Sequence, residues 1–160
     1  MRARAKTKEK GKRGEMLHLL IAISLFTALP CSAKEWNRAK LEQINRAYRR
    51  DIMPIFEQKC FDCHSSRTRF PFYYRIPLIH GFIDAQISRA QKTLDLSTEF
   101  PFGGHPVFST DLHRIRHELD ENQMPPVYYR FMHQNSTITS DERKLVFKWI
   151  EDSQALLMQR

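Results

Sequence analysis

The residues whose types and spacing point most directly to chemistry are Cys60-Phe61-Asp62-Cys63-His64. Two thiols stand three positions apart, so one helical turn brings them to the same side. A histidine follows the second at once. Three chemistries use such a cysteine pair. A thioredoxin-like dithiol needs a preceding strand and a βαβ setting, and no such pattern surrounds these residues. A zinc site needs a second pair of ligands nearby. No cysteine follows Cys63, and His113 and His117, spaced i, i+4, come about fifty residues later. In the third chemistry each thiol adds to a vinyl group of haem and leaves a thioether. The histidine is then carried beneath the ring, where a ring nitrogen binds iron. The immediate His64 selects this reading: one covalent haem c on Cys60 and Cys63, with His64 as proximal ligand.

Haem iron held by one histidine keeps a sixth position to fill. Met124 is the leading candidate. It ends a helical pattern and is followed by Pro125 and Pro126, which fix φ and set the loop in advance. It lies 60 residues beyond His64, enough chain to cross to the opposite haem face. Against it stand a core methionine with no role at iron, a five-coordinate iron, and His80, His105, His113, His117 and His133 as rival ligands.

Other chemistries find little support. No serine, cysteine or threonine nucleophile is matched with a base, so the chain is not read as an enzyme. Gly103-Gly104 belongs to no phosphate-cradling motif. The net charge of +8 hints at nucleic acid, but residues 1–33 hold seven basic and two acidic residues, leaving +3 over the remainder. No basic stripe suited to phosphates is left, and no nucleic-acid partner is expected.

These residues need elements to position them. Apolar residues Trp36, Leu41, Ile44, Tyr48, Ile52 and Phe56 recur at helical spacing, predicting a helix from Trp36 to Phe56 that Pro54 interrupts or restarts near Met53. The stretch from Ser65 to Pro77, rich in aromatics and prolines, predicts an ordered loop that walls the haem. Excluding water there raises the reduction potential. Arg67, Arg69 and Arg75 on this loop are candidate partners for haem propionates. Gly81–Leu96 predicts a second helix with Phe82, Ile83, Ile87, Ala90 and Leu94 inward. Ser109–Asn122 predicts a third, with Leu112, Ile115 and Leu119 inward. Thr139-x-x-Glu142 is a capping box opening a last helix that buries Leu145, Val146, Trp149 and Ile150. The fold class is mostly α, cytochrome c-like, with about four helices and ordered loops around one haem.

Residues 1–33 read as a secretory leader. Arg2 to Met16 is a charged n-region, Leu17–Leu29 an apolar run too short to span a membrane, and Cys31-Ser32-Ala33 offers cleavage near Ala33. The expected mature domain is then 34–160, exported to the periplasm. Cleavage removes Cys31 and leaves no thiol beyond the haem pair to form a stray disulfide. Membrane association is expected only if the leader stays uncleaved or Cys31 is lipidated.

With these residues placed, the chain resembles the "haem-binding domain" family of small single-haem cytochrome c-like bacterial exported proteins. The resemblance is carried by Ile55-Phe56 before Cys60-Phe61-Asp62-Cys63-His64-Ser65, and by the Pro71–Pro77 loop. It continues in Met124-Pro125-Pro126 with Tyr128 and His133, and in Ser140-Asp141-Glu142 leading to Trp149. It implies covalent haem c, His64 as proximal and Met124 as distal ligand. The expected function is one-electron transfer between extracytoplasmic redox partner proteins. The alternatives are a haem-based sensor or ligand-binding module with an open sixth site, and a peroxidase-like haem protein.

Overall fold

The structure, a computed structural model, describes residues 31–104 and 108–159. The apolar run Leu17–Leu29, the Trp36 side chain and His105 lie outside what is described. The chain divides into two units, Met1–Ala39 and Lys40–Arg160, and the core and the site described below lie in the second. It is mostly helical, as its hydrophobic periodicity predicts, with no strand among the described residues. Among those residues no helix is long and apolar enough to cross a membrane.

Helix α1, Cys31–Ala47, runs into a π-helical turn over Tyr48–Ile52, and α2 restarts at Met53 and ends at Lys59. The predicted interruption at Pro54 therefore takes a definite form. Proline has no N–H, and its ring collides with the carbonyl four residues back, here that of Arg50. The widened turn makes room: the Met53 N–H reaches back five residues to the Tyr48 carbonyl. Ile44, Tyr48, Ile52 and Phe56 remain on one buried face throughout.

Cys60, with φ −126°, ends α2, and the single turn α3, Phe61–His64, follows it. An aromatic loop with a short 3-10 turn at Phe72–Arg75 leads to α4, Pro77–Thr93. Proline at the first helical position suits a helix start, so α4 begins four residues before the predicted Gly81. Helix α5, Phe108–Asp120, a short α6, Val127–Met132, and α7, Ser140–Met158, complete the unit. Helix α6 was not foreseen. Six residues between Pro126 and an irregular stretch are too few to show a period.

The core is aromatic. Tyr48, Phe100, Phe102 and Trp149 meet with ring centroids 5.3–6.3 Å apart, mostly edge to face. Leu112, Ile115 and Leu119 of α5 and Val146, Trp149 and Ile150 of α7 close around them. Thr139 caps α7 as its sequence predicts: its Oγ1 accepts from the Glu142 N–H at 3.2 Å, and Glu142 Oε2 accepts from the Thr139 N–H at 2.8 Å.

Two expectations fail. Leu145 is half exposed, one position off the buried stripe of α7. More telling, α4 buries none of its residues: Phe82 is 51 % exposed, and Leu94, the one fully buried member of the predicted set, lies just past the helix end. The apolar side of α4 faces a slot and not the core.

Candidate haem site

The Cys60–His64 turn is held by its own backbone. The Cys60 N–H donates to Phe56 O at 2.8 Å, and Cys60 O accepts from the N–H of Cys63 at 3.2 Å and of His64 at 2.9 Å. Two free thiols thus stand one turn apart. Burial pushes the Cys60 thiol up to about 12, and burial, then the Asp62 charge, also raises Cys63. With nothing bound, both thiols are protonated at neutral pH, the form that adds to a vinyl group. Among the described residues no three His, Cys, Asp or Glu side chains converge as a metal cluster would need.

His64 is clipped by the strap beyond α4. Its Nδ1 donates to Leu94 O at 2.9 Å, while its carbonyl accepts from the Leu96 N–H at 2.6 Å. The first bond puts the ring proton on Nδ1 and leaves Nε2 with a free lone pair. Burial holds the imidazole below its ordinary value, favouring the neutral form that a metal ligand requires. Gln91 of α4 adds a further tie, donating to Ser65 O at 2.8 Å.

Met124 reaches the same place from the turn that follows α5. Asn122, in the left-handed region at φ 52°, turns the chain out of α5, and Arg143 of α7 donates to its side chain at 2.6 Å and to Leu119 O. Met124 then lines a chamber of about 170 Å³ with Cys60, Cys63 and His64, between α4 and the Pro125–Tyr129 segment. The four residues singled out in the sequence are brought together there. A second, small chamber of about 70 Å³, lined by Leu94 and Ile115, shares Cys60, His64 and Met124 with it. A larger one of about 600 Å³ shares Cys63, Gln86, Tyr128 and Tyr129 and is walled by Phe72, Ile83 and Met132. Together they form a mainly apolar slot with two thiols, an imidazole nitrogen and a thioether at its centre. That size, lining and donor set fit haem.

The surrounding residues sort differently from expectation. Pro71, Phe72 and Tyr73 of the aromatic loop do wall the outer chamber, and none of the loop aromatics belongs to the core. Arg67 is engaged by Glu57 at 3.0 Å and lies over the Phe61 ring, and Arg69 is engaged by Asp62 at 3.1 Å. Arg89, not singled out in the sequence, lines the central chamber instead. Its only sequence signal is its place one residue before Ala90 on the apolar side of α4. His80 pairs with Asp84 at 2.8 Å, and His113 and His117 lie exposed on α5. His133 lines the outer chamber, stacked 4.0 Å from the Tyr129 ring. None of these histidines shares the central chamber with His64.

Comparison with known proteins gives a consistent picture. The family model described as "Haem-binding domain" matches residues 19–152. The chain is also similar to the cytochrome c peroxidase Ccp of Escherichia coli (strain K12). The two are 28 % identical over 101 residues, which cover 62 % of this chain and 22 % of that protein. The chain thus spans roughly a fifth of that relative's length. No solved structure matches it.

Proposed function

The chain belongs to the haem-binding domain family, and from that premise we propose that it is a c-type cytochrome carrying one covalently attached haem and passing single electrons between extracytoplasmic partner proteins. The observation that carries this is the central chamber, where Cys60, Cys63, His64 and Met124 meet. Cys60 and Cys63 would hold the haem through thioethers, and His64 and Met124 would ligate its iron as proximal and distal ligands. When bound there, haem supplies the one-electron Fe(III)/Fe(II) couple.

The protein's own residues do the rest. Leu94 O orients the His64 ring and makes it a better donor. The apolar walls of α4 and the aromatic loop keep water from the slot, which favours the less charged ferrous form. A soft thioether ligand at Met124 favours the same form. One-electron transfer requires no nucleophile or base from the protein. The leader at residues 1–33 supports export to the periplasm, where covalent haem proteins meet their partners.

Likeness to a protein named as a cytochrome c peroxidase supports a second reading, a peroxidase-like haem protein with a sixth position open to small molecules. The visible spectrum with and without carbon monoxide separates the two. A closed His64/Met124 site gives a low-spin spectrum that carbon monoxide barely alters. An open site binds it on mixing.

A further inference from the structure

Asp62 lies inside the Cys60–His64 turn, yet its carboxylate serves residues far from it. Oδ2 accepts from Tyr129 Oη at 2.7 Å, across 67 positions of chain. Oδ1 accepts from both the backbone N–H and Nε of Arg69 at 3.1 Å. The Asp62 side chain is only 12 % exposed, and its bond from Tyr129 is charge-assisted and partly buried, the stronger kind, whereas the Arg69 bonds lie at the surface. Tyr129 sits on α6, and α6 follows Met124-Pro125-Pro126 without a break.

Helix α6 has little else to hold it. It buries none of its residues, and Phe131 is 87 % exposed. Toward α4 it has one long polar contact, from Tyr128 Oη to Gln86 at 3.4 Å, and an edge-to-face contact of the Tyr128 ring with Phe82 at 5.8 Å. Between Tyr129 and Met124, however, the chain is stiff. Two prolines fix φ, and the Arg130 N–H donates to Pro126 O at 3.0 Å. Whatever fixes Tyr129 therefore fixes Met124.

We propose that the Asp62–Tyr129 bond is a clasp across the haem slot that holds Met124 at its distal position. Asp62 and Tyr129 are positioning residues for that ligand. The inference rests on Met124 being the distal ligand and adds what keeps it there. An opened clasp frees α6 to swing, and Met124 leaves the iron more often. Burial, and then the Asp62 bond, raise the Tyr129 phenol above its ordinary value, so it remains a donor throughout neutral pH.

The test uses the haem-loaded full chain. Tyr129→Phe deletes the hydroxyl and keeps the ring stacked on His133. Carbon monoxide binding to the ferrous protein by stopped flow is expected to quicken at least ten-fold. The far-red sulfur-to-iron band of the ferric protein is expected to weaken, with covalent haem content unchanged. Asp62→Asn is expected to move both readouts the same way, and Asp62→Glu to restore part of the parent's. Tyr129→Phe and Asp62→Asn proteins with the parent's rate and band overturn the clasp. Met124→Ala is measured beside them. Should it bind carbon monoxide fast while the other two match the parent, the clasp alone is wrong. Should it too match the parent, the ligand reading is wrong and the clasp falls with it.

Discussion

His64 Nδ1 donates to the Leu94 carbonyl at 2.9 Å, across 30 positions of chain, and the contact decides which ring nitrogen is left for a metal. A backbone carbonyl cannot be deleted by changing a side chain, so the orientation is built into the strap beyond α4. His64→Gly removes the proximal ligand but neither thiol. The account expects the variant to keep covalent haem, lose its low-spin spectrum and regain it when free imidazole is added. Absorption spectra with and without imidazole check this.

Met124 lines the central chamber together with His64. Met124→Ala is expected to open the iron to carbon monoxide. Met124→His should give a bis-histidine spectrum and a reduction potential lower by on the order of 0.1 V, a modest part of the roughly 0.8 V that axial ligands command. Spectroelectrochemical titration measures it.

The capping box at Thr139 ties down the start of the helix that carries Trp149. Thr139→Ala leaves the Glu142 N–H without its partner and is expected to cost about 1 kcal/mol. Denaturant unfolding checks the figure, with Ser, which keeps the acceptor, as the substitution that should restore stability.

Tyr48 is 1 % exposed, and among the described residues its hydroxyl has no hydrogen-bond partner. Tyr48→Phe is expected to stabilise the fold by about 1 kcal/mol, since a buried unpaired polar group costs that much or more. The same burial raises the phenol above its ordinary value of 10.0. A folded state that keeps its proton where the unfolded chain releases it is at full advantage below pH 10 and loses stability as pH rises beyond it. Thermal unfolding from pH 8 to 11 should show that loss, and Tyr48→Phe should show less of it.

Much of this was legible in the chain. The Cys60–His64 spacing is itself the chemistry, so the motif could be read without a fold. The buried faces of α1 and α5, and that of α7 apart from Leu145, follow from period because each packs against protein on one side. Helix α4 shows where that logic stops. Its apolar stripe has the same period, yet it faces a slot shaped for a cofactor, and periodicity does not distinguish a protein neighbour from a macrocycle. Arg67 and Arg69 were open as propionate partners in sequence. The fold pairs these loop arginines with Glu57 on α2 and Asp62 on α3, 10 and 7 residues back, and no regular period runs through the loop to reveal it. The Asp62–Tyr129 bond was invisible for the same reason, since no local pattern joins positions 67 apart.

Covalent attachment is the claim on which the others depend. The direct measurement is acid–acetone extraction of the purified protein, followed by intact mass. The colour is expected to stay with the protein and the mass to rise by one haem. Replacing both Cys60 and Cys63 with alanine is expected to release all of the haem into the solvent. Colour that extracts from the parent protein, or a mass equal to that of the bare chain, would contradict covalent attachment.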